Sequence, residues 1–277
     1  MRALETTESL ILPDTHIAVV GDWHGDAGWA KAVLRALART APEVVTVLHV
    51  GDFWMDLRKM DQIADAFSIE RVLWTVGNHE PFPAITPLAE AHPGQAIRVS
   101  QSVWLLPRPF RFTVGGRQIL SLGGATSVDR YWRSPGEWHP EESITDEQVA
   151  TAQAGGRADI FVTHESPART PVQAVKRILR TNPLGFPKES LVESAASRVR
   201  VAKVSEVVQP SIHLHGHMHA PGAGVLADGR RIISLGCNGQ QSNLAIVDLA
   251  NLSIDTPSLR EIRSETPRET RLRGGDL

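Results

Sequence analysis

The chain of 277 residues has a single cysteine, Cys237. One thiol cannot close an internal disulfide, so no disulfide framework holds this fold. It also excludes a cysteine-based zinc finger and an iron–sulfur cluster, and Cys237 reads as a buried, inert residue. An excess of one charge is missing too: 29 Lys and Arg against 31 Asp and Glu leave a net charge of −2, with no global drive toward nucleic acid or an anionic membrane. No window approaches the ~20 apolar residues of a membrane span. The N-terminus carries Arg2, Glu5 and Glu8 and only Leu10-Ile11-Leu12 as an apolar run, which is too short for a secretory signal. The expectation is a soluble, cytoplasmic protein, and a hydrophobic content of 42% argues for a folded one.

What the chain does have is histidine, eleven of them, set in an alternating strand and helix pattern. His16–Val20, Val44–Val50 and Arg71–Val76 are short apolar runs, each closed by a glycine, as buried parallel strands are. Residues 28–39 and 60–67 carry helical spacing between them, and this β-α-β-α-β order predicts a parallel sheet with right-handed crossovers. Four short strands over 96–122 suggest a meander. Residues 123–140 form a long loop, and Thr145 to Gln148 read as a capping box that opens a helix. Further strands are expected at 159–163, 211–215, 224–226, 231–235 and 243–249, with helices at 170–180 and 188–208. This divides the chain into an N-terminal extension (1–14), a single domain (15–255) with a helical insert as a candidate cap (165–209), and a structureless tail (256–277).

The strand ends carry the chemistry. Asp22 and His24 follow the first run, Gly51-Asp52 the second, Gly77-Asn78-His79-Glu80 the third; His164 follows 159–163, and Gly216-His217-Met218-His219 follows 211–215. In open α/β sheets ligands bind beyond the carboxyl ends of the strands, so five such ends place these groups on one rim. Carboxylate, imidazole and amide oxygen together suit divalent Mn, Fe, Zn or Co. Asp22 with His24 and His217 with His219 stand at i and i+2, which on extended backbone face one side. With Asp52 they suffice for two metals, and two ions ~3.5–4 Å apart clamp an in-line displacement at phosphorus.

This set of blocks, spread over roughly residues 15–220, resembles the calcineurin-like metallophosphoesterases. The resemblance implies an α/β fold, a four-layer α/β/β/α sandwich of two mixed sheets flanked by helices, with a dinuclear centre. It implies that Asp22, His24 and His219 hold one metal, that Asn78, His164 and His217 hold the other, and that Asp52 bridges them. His79 would assist the leaving oxygen without binding metal, with Glu80 as its partner, and the nucleophile would be a water or hydroxide between the metals. The implied substrate is a phosphoester, a small molecule or nucleotide. A phosphodiesterase or nuclease, and a non-catalytic scaffold that keeps the fold, are the rival readings. Nucleic acid is not the favoured partner, and the oligomeric state is left open. The block Gly51-Asp52-Phe53-Trp54-Met55-Asp56 lacks the Asp-Arg-Gly of the protein Ser/Thr phosphatases of this superfamily. The stretches 123–130 and 138–142 are instead similar to a subgroup of small bacterial and phage enzymes.

Other residues have two readings each. Arg130 and Arg133 are candidate phosphate-binding groups or loop-stabilising partners of Asp129, Glu141 or Glu142. His213 and His215 read first as strand-core imidazoles, with His215 a candidate outer partner of a metal ligand. Asp26 and Asp56 read as helix N-terminal charges. Trp23 and Trp54 are the better pocket candidates among the tryptophans. The basic residues of the insert, Arg198 among them, read as a solvated face paired with Glu189, Glu193 and Glu206.

Overall fold

A computed structural model describes residues 1–265. The chain starts with β1 (Glu5–Thr7), β2 (Ile11–Leu12), β3 (His16–Val20), α1 (Ala27–Thr40), β4 (Thr46–His49), α2 (Leu57–Ala66), β5 (Arg71–Trp74) and α3 (Phe82–Ala91). Four strands follow: β6 (Ala96–Arg98), β7 (Val103–Leu105), β8 (Phe110–Val114) and β9 (Arg117–Leu122). After a long loop come α4 (Asp146–Ala154), β10 (Ile160–Thr163), α5 (Gln173–Thr181), α6 (Lys188–Val208), β11 (Ile212–His215), β12 (Gly222–Val225), β13 (Arg231–Ser234), β14 (Leu244–Asp248), β15 (Ile254–Asp255) and α7 (Leu259–Arg263).

Two mixed sheets result. One runs β1-β6-β7-β5-β4-β3-β14-β15 and the other β12-β13-β11-β10-β9-β8-β2. Strands β3, β4, β5 and β7 are parallel neighbours, as are β9, β10, β11 and β13. The two-residue period of a strand sends alternate side chains to opposite faces. Ile17 and Val19 therefore point into a core between the sheets with Ile160, Val162, Ile212 and Leu214. Ala18 and Val20 point outward into a second core with Trp29, Val33, Leu34 and Leu37 of α1 and Met60 of α2. On the far side Leu120, Leu122 and Phe161 meet Val201, Val204 and Val208 of α6. These apolar layers make the α/β/β/α sandwich, and each fully buried Leu, Ile or Val in them contributes about 1.5–3 kcal/mol.

The helix signals act where expected. Thr145 accepts from the Gln148 backbone and Gln148 returns the bond, closing the capping box of α4. Asp26 and Asp56 cap α1 and α2 by accepting from Trp29 and Lys59 backbone N–H groups. Three features differ from expectation. The meander over 96–122 is split: β6–β7 join the first sheet and β8–β9 the second, because Pro107 and Pro109 between them cannot donate to a ladder. Periodicity assigns nothing to 81–95, where α3 lies; its prolines hide an apolar spacing of Phe82, Ile85 and Leu88. Pro81 and Pro83 stand at the helix start, where N–H groups have no intrahelical partner, and Pro87 lies inside the helix. The expectation of a structureless stretch from 256 fails over 259–263. There Ser258 and Glu261 form a capping box and Ile262 is buried against the core beside α1; residues 266–277 lie outside the described residues. Within the stretch 1–14, β1 pairs antiparallel with β6 and β2 parallel with β8.

Candidate metal centre

The carboxyl ends of β3, β4, β5, β10 and β11 open on one rim. Asp22 and Asp52 are buried there, and Asp22, His24, Asp52 and His219 bring one ligand atom each to within 4.8 Å of one another. His219 Nε2 is 3.1 Å from Asp22 Oδ2, and His24 Nε2 is 3.4 Å from Asp52 Oδ2. On the other side of Asp52, its Oδ1 is 3.3 Å from His164 Nε2, which lies 2.8 Å from Asn78 Oδ1. The His217 ring sits beside His164 with centroids 5.1 Å apart. Asp22, His24, Asp52 and His219 thus form one cluster, His164 adjoins Asp52 from the other side with Asn78 beside it, and the His217 ring adjoins His164.

The backbone is bent to achieve this. His24, Asp52, Trp54, His217 and His219 all have φ between 46° and 63°, a region that strains residues with a Cβ. The turns are held by bonds between strand ends: Trp23 and His24 N–H groups both donate to the Asp52 carbonyl, at 3.2 and 2.9 Å. Two glycines are required by close approach. A Cβ at Gly77 would lie 2.2 Å from Asp52 Oδ1, and one at Gly216 would lie 2.1 Å from Asp22 Oδ1.

The outer partners orient the rings. His24 Nδ1 donates to Asn238 Oδ1 at 2.9 Å and His164 Nδ1 donates to the Val50 carbonyl at 2.9 Å, so both present Nε2 to the centre. Asn78 Nδ2 donates to Ser127 Oγ at 2.9 Å, and Ser127 in turn donates to the buried Glu142 carboxylate. Asn243 accepts from both Trp23 and Trp29 indoles and donates to the carbonyls of Asp22 and Gly236. Asn238, Asn243 and Ser127 carry no role in the sequence reading, and Glu142 enters it only as a candidate partner of Arg130 or Arg133. Asn238 follows the glycine that ends β13, the same signal that marks the ligands.

His79 lies at the edge of the centre. Its backbone N–H donates to Asp52 Oδ1 at 2.8 Å, and its Nε2 accepts from Arg133 Nη2 at 3.0 Å, with Asp129 Oδ2 at 3.8 Å. Arg133 also donates to Asp129, Ser127, Glu142 and the Glu137 carbonyl, so its guanidinium is fully engaged within the protein. Arg130 pairs with Glu193 at 3.2 Å and stacks 4.2 Å above the Trp138 ring. Glu80 does not touch a ligand side chain. Its Oε1 accepts from Trp74 Nε1, Gly77 N and Phe53 N, tying two rim turns together. His215 is buried with Nδ1 on the Gly216 carbonyl, and His213 meets the Thr163 hydroxyl at 2.8 Å. Trp23 is fully buried, a core residue, whereas Trp54 is half exposed between the His24 and His79 rings, at centroid distances of 6.3 and 5.6 Å. Cys237 is only half-buried, with its Sγ donating to the Asn238 carbonyl at 3.7 Å, and it acts on the His219 imidazole, so it is a neighbour of the centre instead of an inert core residue.

Burial pushes Asp22 and Asp52 up, but their imidazole partners outweigh it: the His219 hydrogen bond and His164 charge for Asp22, the His164 and His24 interactions for Asp52. Both carboxylates are held below the usual range, Asp52 well below. Burial opposes the charged form of His164 and His219 too, yet the facing aspartates raise them to about 9 and about 10. Burial, with the nearby Arg133 charge, lowers His79 despite Asp52 and Asp129. Glu80 and Glu165 are both raised to about 7, chiefly by burial, with the Asp52 charge adding to Glu80. Two buried carboxylates faced by several imidazoles are what a divalent cation offsets, since paired like charges cannot stay buried uncompensated. The donor set fits such ions.

The sequence profile of the calcineurin-like phosphoesterases matches residues 15–221. Among curated proteins none matches the chain. The fold is similar to that of a dimetal phosphatase from Danio rerio, at 12% identity and a TM-score of 0.58, over 89% of this chain and 97% of that one. It is similar also to a protein of Thermus thermophilus, at 12% identity and a TM-score of 0.50, over 89% and 99% of the two chains. With the family profile covering three quarters of the sequence and the strand-end residues gathered on one rim, the chain belongs to the calcineurin-like phosphoesterase family, hydrolases that act on phosphoester bonds.

Proposed function

We propose that this protein hydrolyses a phosphoester with two divalent ions, one held by Asp22, His24 and His219, the other by Asn78, His164 and His217, with Asp52 shared between them. The observation that carries this reading is the convergence of Asp22, His24, Asp52 and His219 within 4.8 Å, with Asn78 and His164 on the far side of the same aspartate. Ions bound there supply Lewis acidity toward phosphoryl oxygens and activate water for in-line attack. The protein's part is to hold the phosphorus beside His79. The His79 backbone bond to Asp52 Oδ1 fixes the imidazole at the edge of the centre, and Arg133 fixes its ring. In this arrangement Nε2 accepts from Arg133, so donation to the leaving oxygen requires a proton at Nε2 and release of that bond. Asp129, 3.8 Å away, favours the protonated ring, while burial and the Arg133 charge outweigh it and hold His79 below its ordinary value.

A nuclease reading draws no support from the rim arginines, since Arg130 and Arg133 are neutralised by Glu193, Asp129 and Glu142. A non-catalytic scaffold would not need a complete ligand set and a placed His79. Among the described residues no helix is long and apolar enough to cross a membrane. The test is turnover by chelated and manganese-reloaded protein of p-nitrophenyl phosphate and its bis ester. Hydrolysis that returns with the ion is expected, and preference between the two esters separates monoesterase from diesterase. A folded protein that binds ions and turns over neither overturns the reading.

A further inference from the structure

Against the metal centre lies a cavity of about 360 Å³. Asp52, His79, His217 and His219 form one side of it. The other side comes from the insert: Ile178 and Leu179 at the end of α5, Leu184 and Phe186 in the turn after it, and Leu191 on α6, with Met218 between the two histidines. The sequence dictates this wall. Val175, Ile178 and Leu179 stand at i, i+3 and i+4, one helix face; Val175 is buried against Ile232, and the same face continues into the cavity. The turn is closed by Asn182, whose side chain accepts from Phe186 N and donates to Phe186 O, both at 3.0 Å. That sets the Phe186 ring in a stack with Trp132, centroids 4.7 Å apart. Leu184 stands at the lip, 69% exposed. Apolar side chains left in water around a concave site beside reactive groups mark a place that a ligand covers.

The polar groups of the wall are few, and most are spent. The Asn182 amide is used on the Phe186 backbone, and Ser194 Oγ accepts from Arg198 Nη1 at 2.8 Å. Arg198 is different from the other arginines near the centre. Among the described residues no carboxylate lies within 4.0 Å of its guanidinium, and it lines the same cavity as His217 and His219.

We infer that the substrate is a phosphoester of an apolar alcohol, aryl or branched alkyl, whose organic group fills the α5–α6 wall while Arg198 meets the phosphate oxygens turned away from the metal ligands. The inference rests on the phosphoesterase reading. A sugar or nucleoside in this wall would bury more hydroxyl and amide groups than Ser194 and Asn182 can pair, at a cost of about 1–3 kcal/mol for each one left over, whereas an aryl or alkyl group gains from every buried apolar contact. In the hydrolysis the oxygen of water bonds to phosphorus, the ester P–O bond breaks, and the alcohol takes up a proton and departs through this cavity.

The test is calorimetric binding of three non-hydrolysable phosphonates, methyl-, phenyl- and 1-naphthylphosphonate, to protein loaded with manganese. Affinity is expected to rise from methyl to naphthyl by about tenfold or more. In a Leu184→Ser, Phe186→Ser double variant of unchanged metal content, the naphthyl-to-methyl ratio should fall by about fivefold. Arg198→Gln should weaken all three by a similar factor, about tenfold. Equal affinity for the three phosphonates, binding of none of them, or an undiminished ratio in the double variant overturns the inference. An Arg198→Gln protein that binds all three like wild type removes Arg198 from it. Failure of the underlying reading shows separately, as ion-loaded protein that turns over neither p-nitrophenyl ester.

Discussion

The metal-binding rim and the α5–α6 wall face each other across one cavity and are built by different rules. The rim consists of buried carboxylates, with imidazoles that range from buried to exposed, on turns several of whose residues occupy left-handed backbone, cross-braced by hydrogen bonds from other strand ends. Strained conformations at about 1–3 kcal/mol each persist only where surrounding structure over-determines them, and here Glu80 and the Asp52 carbonyl do so. The wall consists of regular helices and one amide-closed turn, with leucine and phenylalanine partly in water. The rim has little tolerance because each group serves several others; the wall asks only for apolar volume. Rigid chemistry is thereby paired with a surface that substitution can reshape.

The contrast predicts steeply graded effects. The largest is at Asp52, which faces His24, His164 and the His79 N–H at once. Asp52→Asn is expected to deplete both ions by metal analysis and to lower turnover by more than ~10²-fold, beyond what loss of an outer partner costs; full occupancy would break the claim that this carboxylate is shared. His79→Gln is expected to lower turnover by about 10²–10⁴-fold with metal content unchanged. Metal loss in that variant would make His79 a ligand. Ser127→Ala removes the hydroxyl under Asn78 and is expected to weaken one ion by about 10–100-fold in a competition titration with a chelator, while a rim that tolerates it would not be cross-braced as described.

Smaller effects concern stability. His213, in the strand behind the rim, is held neutral by burial, with its pKa well below the ordinary value. An unfolded imidazole protonates near pH 6.5, so below that pH the unfolded chain binds the extra proton. The stability His213 contributes is therefore present above pH 6.5 and is lost as pH falls toward its folded value. Between pH 6.5 and 5 wild-type protein should lose stability relative to His213→Gln, by up to about 1.4 kcal/mol per pH unit, read from urea midpoints; parallel pH curves would contradict a neutral buried ring. At the other extreme Val192→Thr, on the exposed side of α6, should stay within about 0.5 kcal/mol of wild type. A larger loss in that variant would show α6 to be constrained even on the side turned away from the cavity.

Much of the rim was legible because its signals are local. A buried strand ending in glycine and followed by a ligand-type residue is readable within a few positions, and five such endings in one α/β chain leave little room for coincidence. The same signal stands before Asn238, which follows Leu235-Gly236 at the end of β13. The roles of the arginines were not legible. Arg130, Arg133 and Arg198 look alike in the sequence, and only their neighbours separate them: Glu193 and Trp138 for the first, Asp129, Glu142 and Ser127 for the second, and Ser194 for the third. The prolines of α3 and the break between β7 and β8 were obscured for a similar reason, since both depend on which sheet or core accepts the segment.

What the sequence by itself determined is therefore the layered class of the fold, the strand ends and the metal-ligand chemistry gathered on them, because periodicity, glycine and donor type are properties of short stretches. Tertiary structure alone decided which groups complete that chemistry. His24 finds Asn238 across 214 positions and Asn78 finds Ser127 across 49, and the apolar wall exists only because α5 and α6 fold back over the rim. Such pairings are set by how two sheets and their helices pack, and packing acts between residues that no local pattern connects.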